Sequence, residues 1–86
     1  MVYDKNAEHP PITFREYQIL KLMATGTPNE EIADSLFIAS NTVRTHRRNI
    51  RIKLGIKETT ARRVVMYQQE VVRLQPFFES KGDDLE

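Results

Sequence analysis

The sequence predicts an all-α fold of four short helices in one small domain. Three observations carry that expectation. Apolar residues recur every three or four positions in four separate stretches, the period of a helix with one buried face. The stretches are bracketed by residues that start or stop helices, such as Thr13 with Glu16 and, at the far end, Gly26. The 86 residues contain no cysteine, so neither a disulfide framework nor a thiolate metal site can supplement a core built by helix packing.

Residues 1–11, MVYDKNAEHPP, have no periodicity and end in two prolines, so they read as a flexible N-terminal arm or linker. The helical domain is expected over residues 12–75. Its first helix spans Thr13 to Thr25. Thr13 and Glu16 form a capping box, Ile12 and Tyr17 a hydrophobic staple, and Ile19, Leu20 and Met23 the core face. Glu16 is accordingly a capping carboxylate and not a catalytic acid. The second helix starts with Thr27 as its cap, Pro28 at the first helical position and Glu30 reaching back to the cap. Ile32, Ala33 and Leu36 face inward.

The third helix covers about Ser40 to Leu54. Gly55 closes it as a left-handed cap, with Ile56 folding back onto Ile50. Either Ser40 caps it, or it begins after Ala39 with its first donors facing water or phosphate; serine is a strong cap and alanine a poor one, which favours Ser40. The fourth helix runs from Thr59 to about Gln75, capped by Thr59 or Thr60 and stopped before Pro76. Ala61, Val64, Tyr67, Val71 and Leu74 form one stripe on it, with Val65 and Val72 beside them. Residues 76–86 form a C-terminal tail in which Phe77 and Phe78 tuck down onto the domain.

Two helices joined by so few residues cannot lie antiparallel, so the second and third cross steeply, as in a helix-turn-helix. On the third helix Val43, His46, Ile50 and Leu54 share the inward face, and Arg44, Arg48 and Arg51 point the other way. The net charge is only +1, yet between Arg44 and Arg63 eight basic residues stand against one acid, Glu58. The acids gather elsewhere, at Glu30, Glu31 and Asp34 and in the tail at Asp83, Asp84 and Glu86. That segregation is the footprint of a polyanion-binding surface rather than of an ordinary solvated helix.

These residues carry a family resemblance. The run EIADSLFI, then NTVRTHRRNI, then KLGI is similar to the LuxR/GerE-type DNA-binding domain of bacterial transcription regulators. TFREYQILKLMATG resembles that family's opening helix, and the resemblance covers about residues 12–58. It implies a four-helix LuxR/GerE-type helix-turn-helix domain that binds double-stranded DNA sequence-specifically, with helix 40–54 in the major groove. It places base contacts at Arg44, Thr45 and Arg48. Arg47, Arg51 and Lys53 stand along the groove walls for phosphate, Asn41 and Thr42 at the helix start, and Thr27 and Asn29 on the preceding helix. The stripe on the last helix closes the core, and the resemblance implies that core and dimer share it, with a weak homodimer, stronger on DNA, through Val64, Val71 and Leu74. This chain departs from the family in placing Thr59 where a basic residue usually opens that helix, and Arg62 or Arg63 where small apolar residues are common.

His9 and His46 are isolated from each other and from any spaced carboxylate cluster, so no metal site is expected. No nucleophile, base and orienter set and no glycine-rich phosphate loop is present, and the chain reads as a non-enzyme without a cofactor or small-molecule ligand. No apolar run approaches a membrane span and no signal-like segment opens the chain, so a cytoplasmic protein without a membrane partner is expected. Two other readings stand beside the main one. A small helical protein–protein interaction module would act on the transcription machinery, such as RNA polymerase, through Glu30, Glu31 and Asp34. Sequence-independent nucleic-acid binding, including RNA, would use the basic face alone.

Overall fold

Four helices and, among the described residues, no strand make up the fold: α1 (Phe14–Ala24), α2 (Asn29–Leu36), α3 (Ser40–Leu54) and α4 (Arg63–Phe78). The computed structural model describes residues 10–57, 59 and 61–79. The arm up to His9, the alternative cap Thr60 and the tail from Ser80 lie outside the described residues. α1 is the central helix, packed on both α3 and α4, while α2 packs on α3.

α1 begins as its sequence dictates. Thr13 Oγ1 accepts the Glu16 N–H at 3.1 Å, and Glu16 Oε1 accepts the Thr13 N–H at 2.9 Å, closing the capping box. Ile12 and Tyr17 are both buried beside it. Glu16 has a second role. Lys53, in the last turn of α3, donates to both Glu16 carboxylate oxygens at 2.9 Å, and Glu16 is only 5% exposed. Burial by itself would raise the Glu16 pKa. The Thr13 N–H and the Lys53 ammonium outweigh it and hold the group below the usual carboxylate range.

The end of α1 explains the first departure from expectation. Gly26, at φ 76°, bonds its N–H to the Met23 carbonyl at 3.0 Å, and Thr27 N–H reaches the Leu22 carbonyl at 3.1 Å. That is a Schellman closure, and it makes Thr27 part of the end of α1. The Thr27 hydroxyl pairs with that of Thr25 at 2.8 Å. Thr27 therefore does not cap α2. Pro28 holds the cap position, helical residues begin at Asn29, and no side chain caps the helix.

α2 closes in the same way without a glycine. Phe37 is left-handed at φ 58° and ψ 45°, and Ile38 N–H bonds the Ala33 carbonyl at 3.0 Å. A bulky residue pays about 1–2 kcal/mol for that conformation. The closure leaves Ala39 as the extended residue before α3, at φ −75° and ψ 151°, and its carbonyl accepts the Val43 N–H at 3.1 Å. Extended backbone is what a cap position demands. Ala39 therefore occupies the cap and Ser40 is the first helical residue, which corrects the expectation that Ser40 caps the helix. Gly55, at φ 72°, ends α3, and Ile56 N–H returns to the Arg51 carbonyl at 2.9 Å.

α4 differs from its sequence reading at both ends. It starts after a turn, with Arg62 rather than Thr59 at the cap position and no side-chain cap bond. It also runs through Pro76 to Phe78 instead of stopping before the proline. Proline removes one helical hydrogen bond, but the turn beyond it is anchored on α1. The Phe78 ring stacks on Tyr17 with centroids 4.5 Å apart and lies 5.9 Å from Phe14. Glu79 accepts from the Tyr17 hydroxyl at 2.7 Å and from Lys21 at 2.8 Å.

That anchor sets the rotation of α4. Tyr67 and Leu74, two turns apart, are 1% and 0% exposed and join the core with Ile19, Leu20, Ile32, Val43 and Ile50. Leu74 thus falls on the core side of the stripe, sealed inside the chain. Val71 is partly buried, Val64 is at the edge, and the outward face carries Val65 and Val72, the latter 69% exposed.

Two predictions follow from the helix starts. Glu16→Ala should destabilise the domain by about 1–2 kcal/mol at neutral pH, through the lost cap and the lost bond to Lys53. Because the folded-state pKa of Glu16 is depressed, its contribution is complete above the ordinary value of about 4.3 and fades as pH falls through the lower folded value. Urea unfolding at neutral and strongly acidic pH should show the penalty of Glu16→Ala in the first and a smaller one in the second. Ala39→Ser should stabilise by about 1 kcal/mol, with little loss from Ser40→Ala. The opposite ranking in thermal unfolding would place the cap at Ser40.

Candidate nucleic-acid interface

The inward face of α3 fixes the direction of its outward one. Val43 and Ile50 are fully buried and Leu54 nearly so, which pins the rotation of the helix against α1 and α2. Arg44, Thr45 and Arg48 are then exposed on the opposite face, with Arg47 and Arg51 half-buried along it. Arg44 and Arg48 stand one turn apart. His46 is half-buried, less deeply than the apolar residues of its stripe.

An open cleft of about 300 Å³ runs along this face, lined by Asn29, Arg44, Thr45, Arg47, Arg48 and Arg51. Asn29 comes from the start of α2, so the cleft joins the two crossing helices. No acid lines it. It gathers all three residues expected at base edges and, of those expected at phosphates, Asn29, Arg47 and Arg51. Thr45 Oγ1 donates to the Asn41 carbonyl at 3.2 Å, which engages its proton and leaves its lone pairs. Asn41 and Thr42 are exposed on the first turn of α3, where no side chain caps the backbone N–H groups. Thr27 lines a neighbouring cleft with Asn29 and Arg47.

Lys53 stands apart from this set. Nine residues beyond Arg44, it is half a rotation around the helix, and its ammonium sits on Glu16 of α1. Its charge is paired across α1 and α3 with that carboxylate. Sequence reasoning also passed over Ile52, Lys57 and Thr59, which line a broader groove of about 730 Å³ at the C-terminal end of α3, together with Arg48 and Arg51. Ile52 is 65% exposed there. The signal available in sequence was the phase of Ile52, two residues after the inward Ile50 and one turn after the outward Arg48.

Among the described residues no group of three or more acidic, histidine or cysteine side chains is placed to hold a metal ion. No helix of the described residues is long and apolar enough to cross a membrane.

No solved structure matches the chain. The family model for bacterial regulatory proteins of the luxR family (GerE) matches residues 10–66, from just before α1 into the first turn of α4. The match spans both crossing helices, the turn between them and the whole arginine face. The chain therefore belongs to the luxR family of bacterial regulatory proteins, a family of helix-turn-helix DNA-binding domains.

Proposed function

We propose that the domain regulates transcription by binding double-stranded DNA with sequence preference, α3 seated in the major groove. The observation that carries this reading is the cleft, with no acid among its described residues, in which Arg44, Thr45 and Arg48 of α3 meet Asn29 of α2. An α-helix fits the major groove, where an arginine can donate two bonds to guanine O6 and N7. The N-terminal half of a recognition helix is the part that enters, and Arg44 and Arg48 lie there. Thr45 offers a methyl group to thymine or a lone pair to a base-edge donor.

Phosphates on either side of the groove are the partners of Arg47 and Arg51. Asn41, Thr42 and the uncapped N–H groups at the start of α3 face one strand, and Thr27 and Asn29 the other. Lys53 stays with Glu16. A second copy docks through the outward face of α4, with Val65 and Val72 replacing the buried Leu74 beside Val64 and Val71. So small a surface gives a weak pair that two adjacent half-sites strengthen.

Arg48→Ala should cost about 1–3 kcal/mol on the preferred duplex and relax the preference at one or two base pairs. Arg51→Ala should weaken binding to every duplex alike and flatten the salt dependence by about one unit. Anisotropy titrations of preferred and random duplexes at several salt concentrations measure both. An Arg48→Ala variant with the wild-type ratio between the two duplexes would remove the base contact from the account.

A further inference from the structure

The groove of about 730 Å³ at the C-terminal end of α3 has an apolar floor between basic walls. Ile52 is 65% exposed in it, the one aliphatic side chain of α3 that the core does not take. Arg48 stands one turn before Ile52, and Lys57 follows the Gly55 stop. Neither makes an ion pair within the chain among the described residues. From Arg44 to Arg63 eight basic residues stand against Glu58 alone, so the region is positive with that carboxylate counted.

A surface of opposite character lies before the other end of α3. Phe37, in the turn that leads into the helix, is 92% exposed. Its backbone is left-handed at φ 58°, a conformation that glycine or asparagine adopts at less cost. The phenylalanine ring gains almost no burial there in return. Exposed acids precede it on α2 at Glu30, Glu31 and Asp34, and α2 carries no basic residue. None of the three pairs with a cation among the described residues. Glu30 and Asp34 stand one turn apart, and the row ends at Phe37.

An aromatic knob among acids and an apolar groove between cations complement each other in charge and in apolar surface. They cannot meet within one chain. From Ser40 to Ile52 the helix rises about 18 Å, so knob and groove stand at opposite ends of one rigid element. We propose that the groove receives the Phe37 knob of a second copy of this chain, with Glu30 and Asp34 set against Arg48 and Lys57. Each copy offers one knob and one groove, so the contact is head-to-tail and extends to further copies as concentration rises. Arg48 lines both this groove and the cleft of the DNA face, so a docked knob and a duplex compete for it. That competition rests on the DNA-binding reading, whereas the contact itself does not. Chains without DNA cover one another's arginine faces, and a duplex releases them.

Sedimentation velocity over a wide range of chain concentration, at low and high salt and with added duplex, tests the contact. The wild-type chain should form larger species at low salt and return to monomer in high salt or on addition of duplex. Phe37→Asn and Ile52→Ser should each weaken the association about tenfold or more, because each removes an apolar contact. Asparagine suits left-handed backbone, so Phe37→Asn should also raise the thermal unfolding midpoint, which separates a lost contact from a lost fold. Asp34→Lys and Lys57→Glu should each weaken the association about tenfold. An equimolar mixture of those two should associate more tightly than either alone, since one reversed knob then meets one reversed groove.

A wild-type chain that stays monomeric at every concentration in low salt overturns the contact. So does association that Phe37→Asn or Ile52→Ser leaves intact, and pairing that Val72→Asp alone abolishes belongs to α4 instead. A mixture of the charge-reversed chains no tighter than its components removes the ion pairs from the account. Larger species that persist with duplex bound overturn the competition. Wild-type chains that assemble through Phe37 and Ile52 but ignore duplex DNA would keep the contact and remove the DNA reading.

Discussion

The arginine face depends on a carboxylate that points away from it. Glu16 accepts the Thr13 N–H in the first turn of α1 and the Lys53 ammonium from the last turn of α3. One nearly buried group thus fixes where α1 begins and how the far end of α3 is held against it. With Val43 and Ile50 sealed into the core, α3 is pinned along its length. Its outward residues have one direction to face. A recognition surface needs that rigidity, because side chains that must meet base edges tolerate little displacement of their helix.

The helix starts divide by role. α1, which belongs to the scaffold, carries a complete capping box. α2, α3 and α4 have no side-chain cap bond at their starts. A missing cap costs about 1 kcal/mol each, a cost the domain bears where the clefts are. Asn29 at the start of α2 lines the first cleft and the neighbouring one, which Arg63 at the start of α4 also lines. Backbone donors left without a cap remain for a ligand with acceptor oxygens. Among the described residues the acids lie on α1, on α4 and its end, or on the exposed side of α2, away from the first cleft.

Much of this was legible in the sequence because the decisive signals are local. The Thr13–Glu16 box, Gly26 and Gly55 as stops, and the phase of Val43, Ile50 and the arginines on α3 all follow from spacing within one helix. The misreadings share a cause, which is that a residue's partner lay outside its own window. Thr27 has the chemistry of a cap, but the Schellman turn of α1 takes its N–H and the Thr25 hydroxyl engages its side chain. Pro76 is a helix stop until Phe78 and Glu79 are tied to Tyr17 and Lys21 on α1. The bond between Lys53 and Glu16 could not be seen within one helix, because the two are 37 residues apart. Leu74 was read in a stripe shared by core and dimer contact, because periodicity gives the stripe and not which of its residues the core takes. Ser40 lost the cap to Ala39 because the left-handed Phe37 sets where the chain is extended, a feature that a phenylalanine does not advertise.

The central claim is that α3 reads base sequence from the major groove. Selection of bound duplexes from a random library with the 86-residue chain tests it most directly. The account predicts enrichment of a short motif containing guanines spaced for Arg44 and Arg48, arranged as an inverted repeat where two copies bind. Duplexes recovered with no enriched motif, although the chain holds random DNA in a strongly salt-dependent way, would contradict it and leave a domain that reads only phosphate.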